Sequence, residues 1–413
     1  MRIAMGLVLV LVSPLSVASA STINVPLEYS GIQTALFAAS YGDTVLVGPG
    51  VHSGHIALVN GVTLISEDGP EVTILDAGYQ GSVITAVSAD ANTAVIGFTI
   101  RHGVAPETNP YGGGLHLIDS DILIRDNVIW GNTAEVGGGI CVRGLGHAPR
   151  IWGNQIRANH ATDHAGGICA DHGSLLAWDN VIEENTTSGC AGGISIRWGE
   201  HAILTNNLIL NNTADRGAGG IYLEHTHTIK ISRCTISGNV ASATHGGGIN
   251  LYQSSATIEW SLIENNWCLQ RGGGILWLVD SSIDLRNNTI VGNHAAEGGG
   301  IFAGDALSAL VRNNIISGST GGGVFVPPGG FIELTCNNIW GNQPQDCWGA
   351  PPGMGGFSED PLFCKPHLGD YHLSLGSPCL NGYGCGLVGA FDEGCGTTRT
   401  EETTWGLLKA MYR

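Results

Sequence analysis

The chain is poor in charge, in aromatic rings and in methionine. Only 13% of its 413 residues are charged, and only 7% are Phe, Trp or Tyr. Low charge combined with 43% apolar content excludes a disordered chain, which needs the reverse balance. Basic residues are scarcest. Seventeen Lys and Arg stand against 35 Asp and Glu, for a formal net charge of −18. That deficit argues against nucleic acid or an anionic membrane surface as a partner. Past the first dozen residues there is no apolar run long enough to span a bilayer. Zinc-ligand spacing and the Gly-Gly-x-Gly-x-Asp calcium repeat are missing as well. No cofactor or metal is therefore implied, and calcium remains an option without a motif.

What the chain has in excess is glycine, 64 residues, about twice the usual share. The glycines recur in order. Gly137-Gly138-Gly139-Ile140 is echoed by Gly166-Gly167-Ile168, Gly192-Gly193-Ile194, Gly219-Gly220-Ile221, Gly247-Gly248-Ile249, Gly273-Gly274-Ile275 and Gly299-Gly300-Ile301. An earlier copy ends at Leu115 and a later one at Val324, with steps of 23 to 28 residues. Such a period marks a stacked repeat, in which length adds coils rather than separate cores. A phosphate-binding glycine loop is excluded, since that motif occurs once and opens a helix.

The N-terminus has the form of a secretory leader. Arg2 is followed by the apolar run from Ile3 to Val12 and by Ala18-Ser19-Ala20, a small-residue cleavage site. Residues 1–20 are set aside on that basis, and the chain is expected to be secreted or at the cell surface. An exported chain can hold disulfides. All eleven cysteines follow the leader. Cys364, Cys379, Cys385 and Cys395 cluster near the C-terminus, with their pairing open, and Cys336 and Cys347 flank a short loop.

Residues 26–40 predict a short amphipathic helix, with Ser30 as N-cap and Ile32, Ala35, Leu36 and Ala39 on one face. Short β-branched runs follow, such as Thr44–Val47 and Val72–Leu75. From residue 112, each Gly-Gly-Ile leads through two short strands to Asn-x-Ile-x-x-Asn. Asn127-Val128-Ile129 with Asn132 is one copy and Asn180-Val181-Ile182 with Asn185 another; Cys234 and Ser261 replace the first Asn in two copies. Stacked coils would set Ile on Ile inside, and each Asn could bond its neighbours above and below. The prediction is an all-β right-handed parallel β-helix solenoid with coils of about 26 residues. It spans residues 21–345, with the helix covering the first coil, a Cys-rich closing segment at 346–396 capping the last, and a detached tail at 397–413.

These motifs resemble the right-handed parallel β-helices of the pectin-lyase-like class, and the glycine repeats resemble those of polymorphic outer-membrane proteins. Gly42-Asp43-Thr44-Val45-Leu46-Val47 and Asp360-Pro361-Leu362-Phe363 are similar to the opening and closing segments of such proteins. The likeness implies the fold and leaves activity open. The polygalacturonase set of Asn-Thr-Asp, Asp-Asp, Gly-His-Gly and Arg-Ile-Lys is absent, as is the Asp-Pro-His-Glu of mannuronan epimerases.

Function is sought where side chains stack outward. The third residue after each repeat Ile, and the one following, give Arg143, Asp171, His172, Arg197, Trp198, Glu224, His225 and Tyr252. Asp171 and Glu224 would lie two coils apart, roughly 10 Å between backbones, close to the separation used in inverting glycoside hydrolysis. Catalysis would use Asp171 and Glu224 as acid and base and Arg197 to neutralise a uronate. Arg143, His172, Trp198, His225 and Tyr252 would bind substrate. Alternating Arg and Asp also serves plain cross-strand pairing. A second row, His164 and Cys190, precedes the glycines. Cys141 and Cys169 are at matching positions on adjacent coils and are expected to form a disulfide. The leading reading is an exported, non-catalytic, monomeric surface, adhesive or glycan-binding β-helix. The alternative is a polysaccharide lyase or glycoside hydrolase acting on an acidic polysaccharide.

Overall fold

The computed structural model describes residues 20–395, apart from 244 and 352. The expected leader up to residue 19 and the 397–413 tail lie outside the described residues. Three long parallel sheets run the length of the molecule. The return sheet has 13 strands, from Thr22–Val25 to Glu333–Thr335. The corner sheet has 12, from Ile56–Ala57 to Cys347–Trp348, and holds the strand that follows each Gly-Gly-Ile. The flank sheet also has 12, from Gly50–Ser53 to Asn338–Trp340. A fourth, the wall sheet, has six strands, beginning at Thr133–Val136 and ending at Trp267–Cys268. It lies between the second Asn and the next glycines.

The repeat isoleucines make this core. Ile140, Ile168, Ile194, Ile221, Ile249, Ile275 and Ile301 pair in register and are fully buried. Each such burial contributes roughly 2–3 kcal/mol. The asparagines form ladders at the bends. Asn159 Nδ2 donates 3.0 Å to Asn185 Oδ1 and 2.9 Å to the Ile129 carbonyl, and the Asn159 backbone N–H also reaches Asn185 Oδ1 at 3.0 Å. The same geometry carries Asn132 through Asn293 without interruption. The ladder starting at Asn127 is broken at Cys234, whose sulfur is 4.0 Å from Asn207 Nδ2.

At the third bend the first glycine takes a left-handed conformation, as Gly137 does with φ 71°. The second lets the next coil approach, since a Cβ on Gly138 would stand 2.3 Å from the His160 carbonyl oxygen.

The helix is Ile32–Ala38 and buries Ile32, Ala35 and Leu36 over the first coil. Its N-cap is Gly31 rather than the expected Ser30, and no side chain caps it. The Cys-rich closing segment is a small sheet of Phe363–Lys365, Asp370–Ser374 and Glu393–Cys395. It docks on the outer flank of the flank sheet. There Tyr371 packs against Leu262 and Val291, and Asn287 and Asn313 donate to the Leu387 and Cys385 carbonyls.

Two disulfides hold it, Cys336–Cys385 and Cys364–Cys395. The other expected partners are corrected. Cys347 and Cys379 are free thiols. Cys336 sits at the bend before the flank sheet and Cys347 in the corner sheet, so their short sequence separation spans opposite sides of a coil. Cys141 and Cys169 are in register as predicted, yet they are free. In-register parallel strands point their Cβ atoms the same way rather than toward each other. The two thiols instead stack, fully buried, in a small apolar cluster with Val136 and Ala165 under Tyr111.

Candidate functional site

The wall sheet changes what outward means in the corner sheet. The residue after each repeat Ile points away from the solenoid core, but the preceding wall strand folds over it. One unbroken register row results: His116, Cys141, Cys169, Ser195, Tyr222 and Asn250. This row is the floor of the angle where the two sheets meet, and apart from half-buried Tyr222 it is buried. Its wall is the row before the glycines: Tyr111, Val136, His164, Cys190 and Arg216, then His245. Contacts cross the angle. Tyr111 stacks on His116 at 5.7 Å, and His164 faces Tyr222 at 6.4 Å.

The third row forms the rim, and the predicted residues meet there. Asp171 is 5% exposed and serves as a hub. Arg197 lies 3.2 Å away, His172 3.1 Å and Arg143 3.7 Å. The Arg143 guanidinium also sits 4.0 Å over the Tyr111 ring. Glu224 is the register neighbour of Arg197, and Tyr252 that of Glu224. Glu224 is only half-buried, so of the two predicted carboxylates it is the more open. Beside the rim runs an aromatic ladder. His172 stacks on Trp198 at 6.1 Å, Trp198 on His225 at 3.9 Å, and Tyr252 meets His225 edge-on at 5.8 Å. His172, Trp198 and His225 all take left-handed backbone angles, φ 50–56°, at the bend leaving the corner sheet.

Sequence reasoning missed His116, Ser195, Tyr222 and Asn250. Their signal was available, since they occupy the same position as Cys141 and Cys169. His164 and Cys190 were seen as a row, but not as a wall.

The polar atoms of this angle are unusual. His116 Nε2, Arg143 Nε, His164 Nδ1, Ser195 Oγ, Arg197 Nε, His245 Nδ1 and Asn250 Oδ1 are buried with no hydrogen-bond partner in the protein. A buried polar atom left unpaired costs about 1–3 kcal/mol, so folded proteins rarely keep several together. Burial, helped by Arg197, pushes the His164 pKa down to about 4. Burial, helped by Arg143, does the same to His116, also to about 4. Both rings are thus neutral at pH 7; Asn109 Nδ2 donates to His116 Nδ1 at 3.3 Å, so the unpartnered His116 Nε2 carries the proton. Burial, with Glu224 and Asp163 adding to it, pushes the Cys190 thiol up to about 11. That is the reverse of what activates a nucleophile. Among the described residues no three His, Cys, Asp or Glu side chains converge as metal ligands, and no helix is long and apolar enough to cross a membrane.

Solved structures with a similar course include the Azotobacter vinelandii mannuronan C-5 epimerase AlgE6 A-module, at 16% identity and a TM-score of 0.41, covering 80% of this chain and 94% of that one. The polygalacturonase from Erwinia carotovora ssp. carotovora gives 13%, a TM-score of 0.41 and coverage of 83% and 96%. The catalytic domain of a GH87 alpha-1,3-glucanase in complex with tetrasaccharides gives 11%, 0.41 and coverage of 82% and 68%. At such identities the likeness concerns the fold alone. A comparison with curated protein sequences finds no match. The similarity to polymorphic outer-membrane repeats is not shown by these comparisons. The description of the right handed beta helix region matches residues 83–259 and 219–343, more than half of the chain, and with the three stacked parallel sheets this establishes that the chain belongs to the right-handed β-helix family.

Proposed function

We propose that this is an exported glycan-binding β-helix protein, and that a polysaccharide lies along the rim of the corner sheet and the aromatic ladder beside it. One observation carries the reading: His172, Trp198 and His225 stack into an open aromatic ladder beside the rim, with Trp198 46% exposed. The half-buried Glu224 and Tyr252 of the rim add a carboxylate and a hydroxyl, which suits a ligand rich in hydroxyls. The ladder of His172, Trp198 and His225 beside the rim offers flat faces to the apolar side of a sugar ring.

A second reading, glycan cleavage, is favoured by the pairing of Glu224 with Arg197 in register. On that reading Glu224 moves the proton and Asp171 holds Arg143 and Arg197 in place. The test is equilibrium binding and turnover with polygalacturonate, alginate, xylan and an α-1,3-glucan, with and without calcium. Binding without turnover is the expected result. Turnover that disappears in Glu224→Gln would replace the binding reading with the catalytic one. Failure to bind any of the four would remove both.

A further inference from the structure

The closing segment leaves a cleft where it meets the solenoid, with a volume of about 440 Å³. Arg233, Trp260 and Leu262 line it from the solenoid, and His372, Phe391 and Asp392 from the closing segment. It opens at the bend between the return and flank sheets, whereas the rim stands at the bend between the corner and return sheets. Arg233 and Trp260 hold the same position on successive coils, with left-handed φ of 52° and 53°. On the next two coils that position is Asn287 and Asn313, whose side chains donate to the closing segment. Arg233 and Trp260 take no part in that docking. Trp260 is 38% exposed although coils stack on both sides of it. The Arg233 side chain is exposed and has no partner among the described residues. Glu259, on the adjoining strand, is already held by Lys230 at 2.8 Å and Arg286 at 2.7 Å. On the opposite wall the Phe391 ring lies 5.1 Å from His372. His372 Nδ1 donates to Asp370 at 2.8 Å, which leaves Nε2 open. Asp392 is exposed, and its carboxylate likewise has no partner among the described residues. A cation and an anion thus line one cleft without pairing.

We infer that this cleft is a second binding site, and that it takes a single sugar acid unit, a uronate. Arg233 supplies a fixed charge and a planar fork of donors, which fits a carboxylate. Trp260 and Phe391 supply ring faces for the apolar side of a pyranose. Asp392 accepts from hydroxyls, and His372 Nε2 bonds another. One cation opposite one anion selects a ligand with a single carboxylate and several hydroxyls. It disfavours a polyanion, which Asp392 and the net charge of −18 would repel. The volume is in the range of small-molecule sites, which suits one unit rather than a stretch of polymer. The site stands apart from the rim and does not depend on what the rim binds.

The test titrates the chain without its leader with monomeric galacturonate, glucuronate and neutral galactose, read by calorimetry and by saturation-transfer NMR. Wild type is expected to bind at least one uronate more tightly than galactose. Arg233→Gln is expected to weaken that uronate about tenfold and to erase the preference over galactose, while Arg233→Lys keeps part of it. Trp260→Ala is expected to weaken the uronate about tenfold as well, and Trp260→Phe to retain most of the affinity. Circular dichroism should match wild type in all four variants. Uronate binding that survives both Arg233→Gln and Trp260→Ala would place the sugar elsewhere and overturn the cleft as its site. Equal affinity for galactose and the uronates would overturn the acidic class. Should wild type bind neither uronate, this inference falls, while binding of polymer at the rim would still stand on its own titrations.

Discussion

From residue 112 onward the coils turn on asparagine and again on glycine, and the two kinds of bend treat buried polar groups in opposite ways. At the Asn bends nearly everything is paired. Asn185 accepts from both the backbone and the side chain of Asn159, and donates to Ile156 and Asn212. Beyond the glycine bend, Ser195, Asn250, His116 and His164 have buried atoms with no partner. The same stacking that satisfies one row leaves the other unsatisfied. Asn side chains reach along the stack to identical neighbours, whereas the six positions of the floor row carry five different residue types with no complementarity from coil to coil. Repetition of one residue marks scaffold here, and variety at a fixed position marks the candidate site.

That contrast can be broken by substitution. Asn185→Ala removes four buried hydrogen bonds and orphans the Asn159 backbone N–H, so a loss of about 4 kcal/mol is expected in denaturant unfolding. A loss under about 1 kcal/mol would show that the ladder is dispensable. Acid probes the other bend. His116 and His164 have folded pKa values near 4 against an ordinary value of 6.5. Between those values the unfolded chain binds protons that the folded one refuses. Stability is therefore full above about pH 6.5 and falls as the pH drops toward 4, by roughly 3 kcal/mol for each ring. Unfolding midpoints that stay flat from pH 7 to 4 would mean both rings are already paired or hydrated. Cys234→Asn repairs the broken ladder, between Asn207 and Ser261, and is expected to raise stability by about 1 kcal/mol. A fall in melting temperature would mean that the bend at 234 has too little room for an amide. The smallest effect is expected at Ser195→Ala, within about 0.5 kcal/mol of wild type, because that hydroxyl has no partner to lose.

The coils, the stacked isoleucines and the asparagine ladders were legible because a strict period fixes which residues meet. The rim was legible for the same reason, since Arg143, Asp171 and Arg197 do stand together. The disulfides were legible only in part. Cys364 and Cys395 lie within one expected cluster, but Cys336 pairs across 49 residues with a segment that folds back along the flank. No period governs that segment, so its docking depends on contacts such as Tyr371 with Leu262 that no local pattern announces.

By itself the sequence determined register: a step of about 26 residues and a side-chain alternation of two decide which side chains share a row. Only the tertiary structure decided which outward row faces solvent and which is roofed over. That depends on the angle at which the wall sheet meets the corner sheet, set by left-handed backbone at positions such as Gly137 and Ala165. Outward from a strand is a local property, whereas buried is a property of whatever packs against it. Cys141 and Tyr222 therefore obey the predicted alternation and still come to rest in a floor that the alternation alone could not reveal.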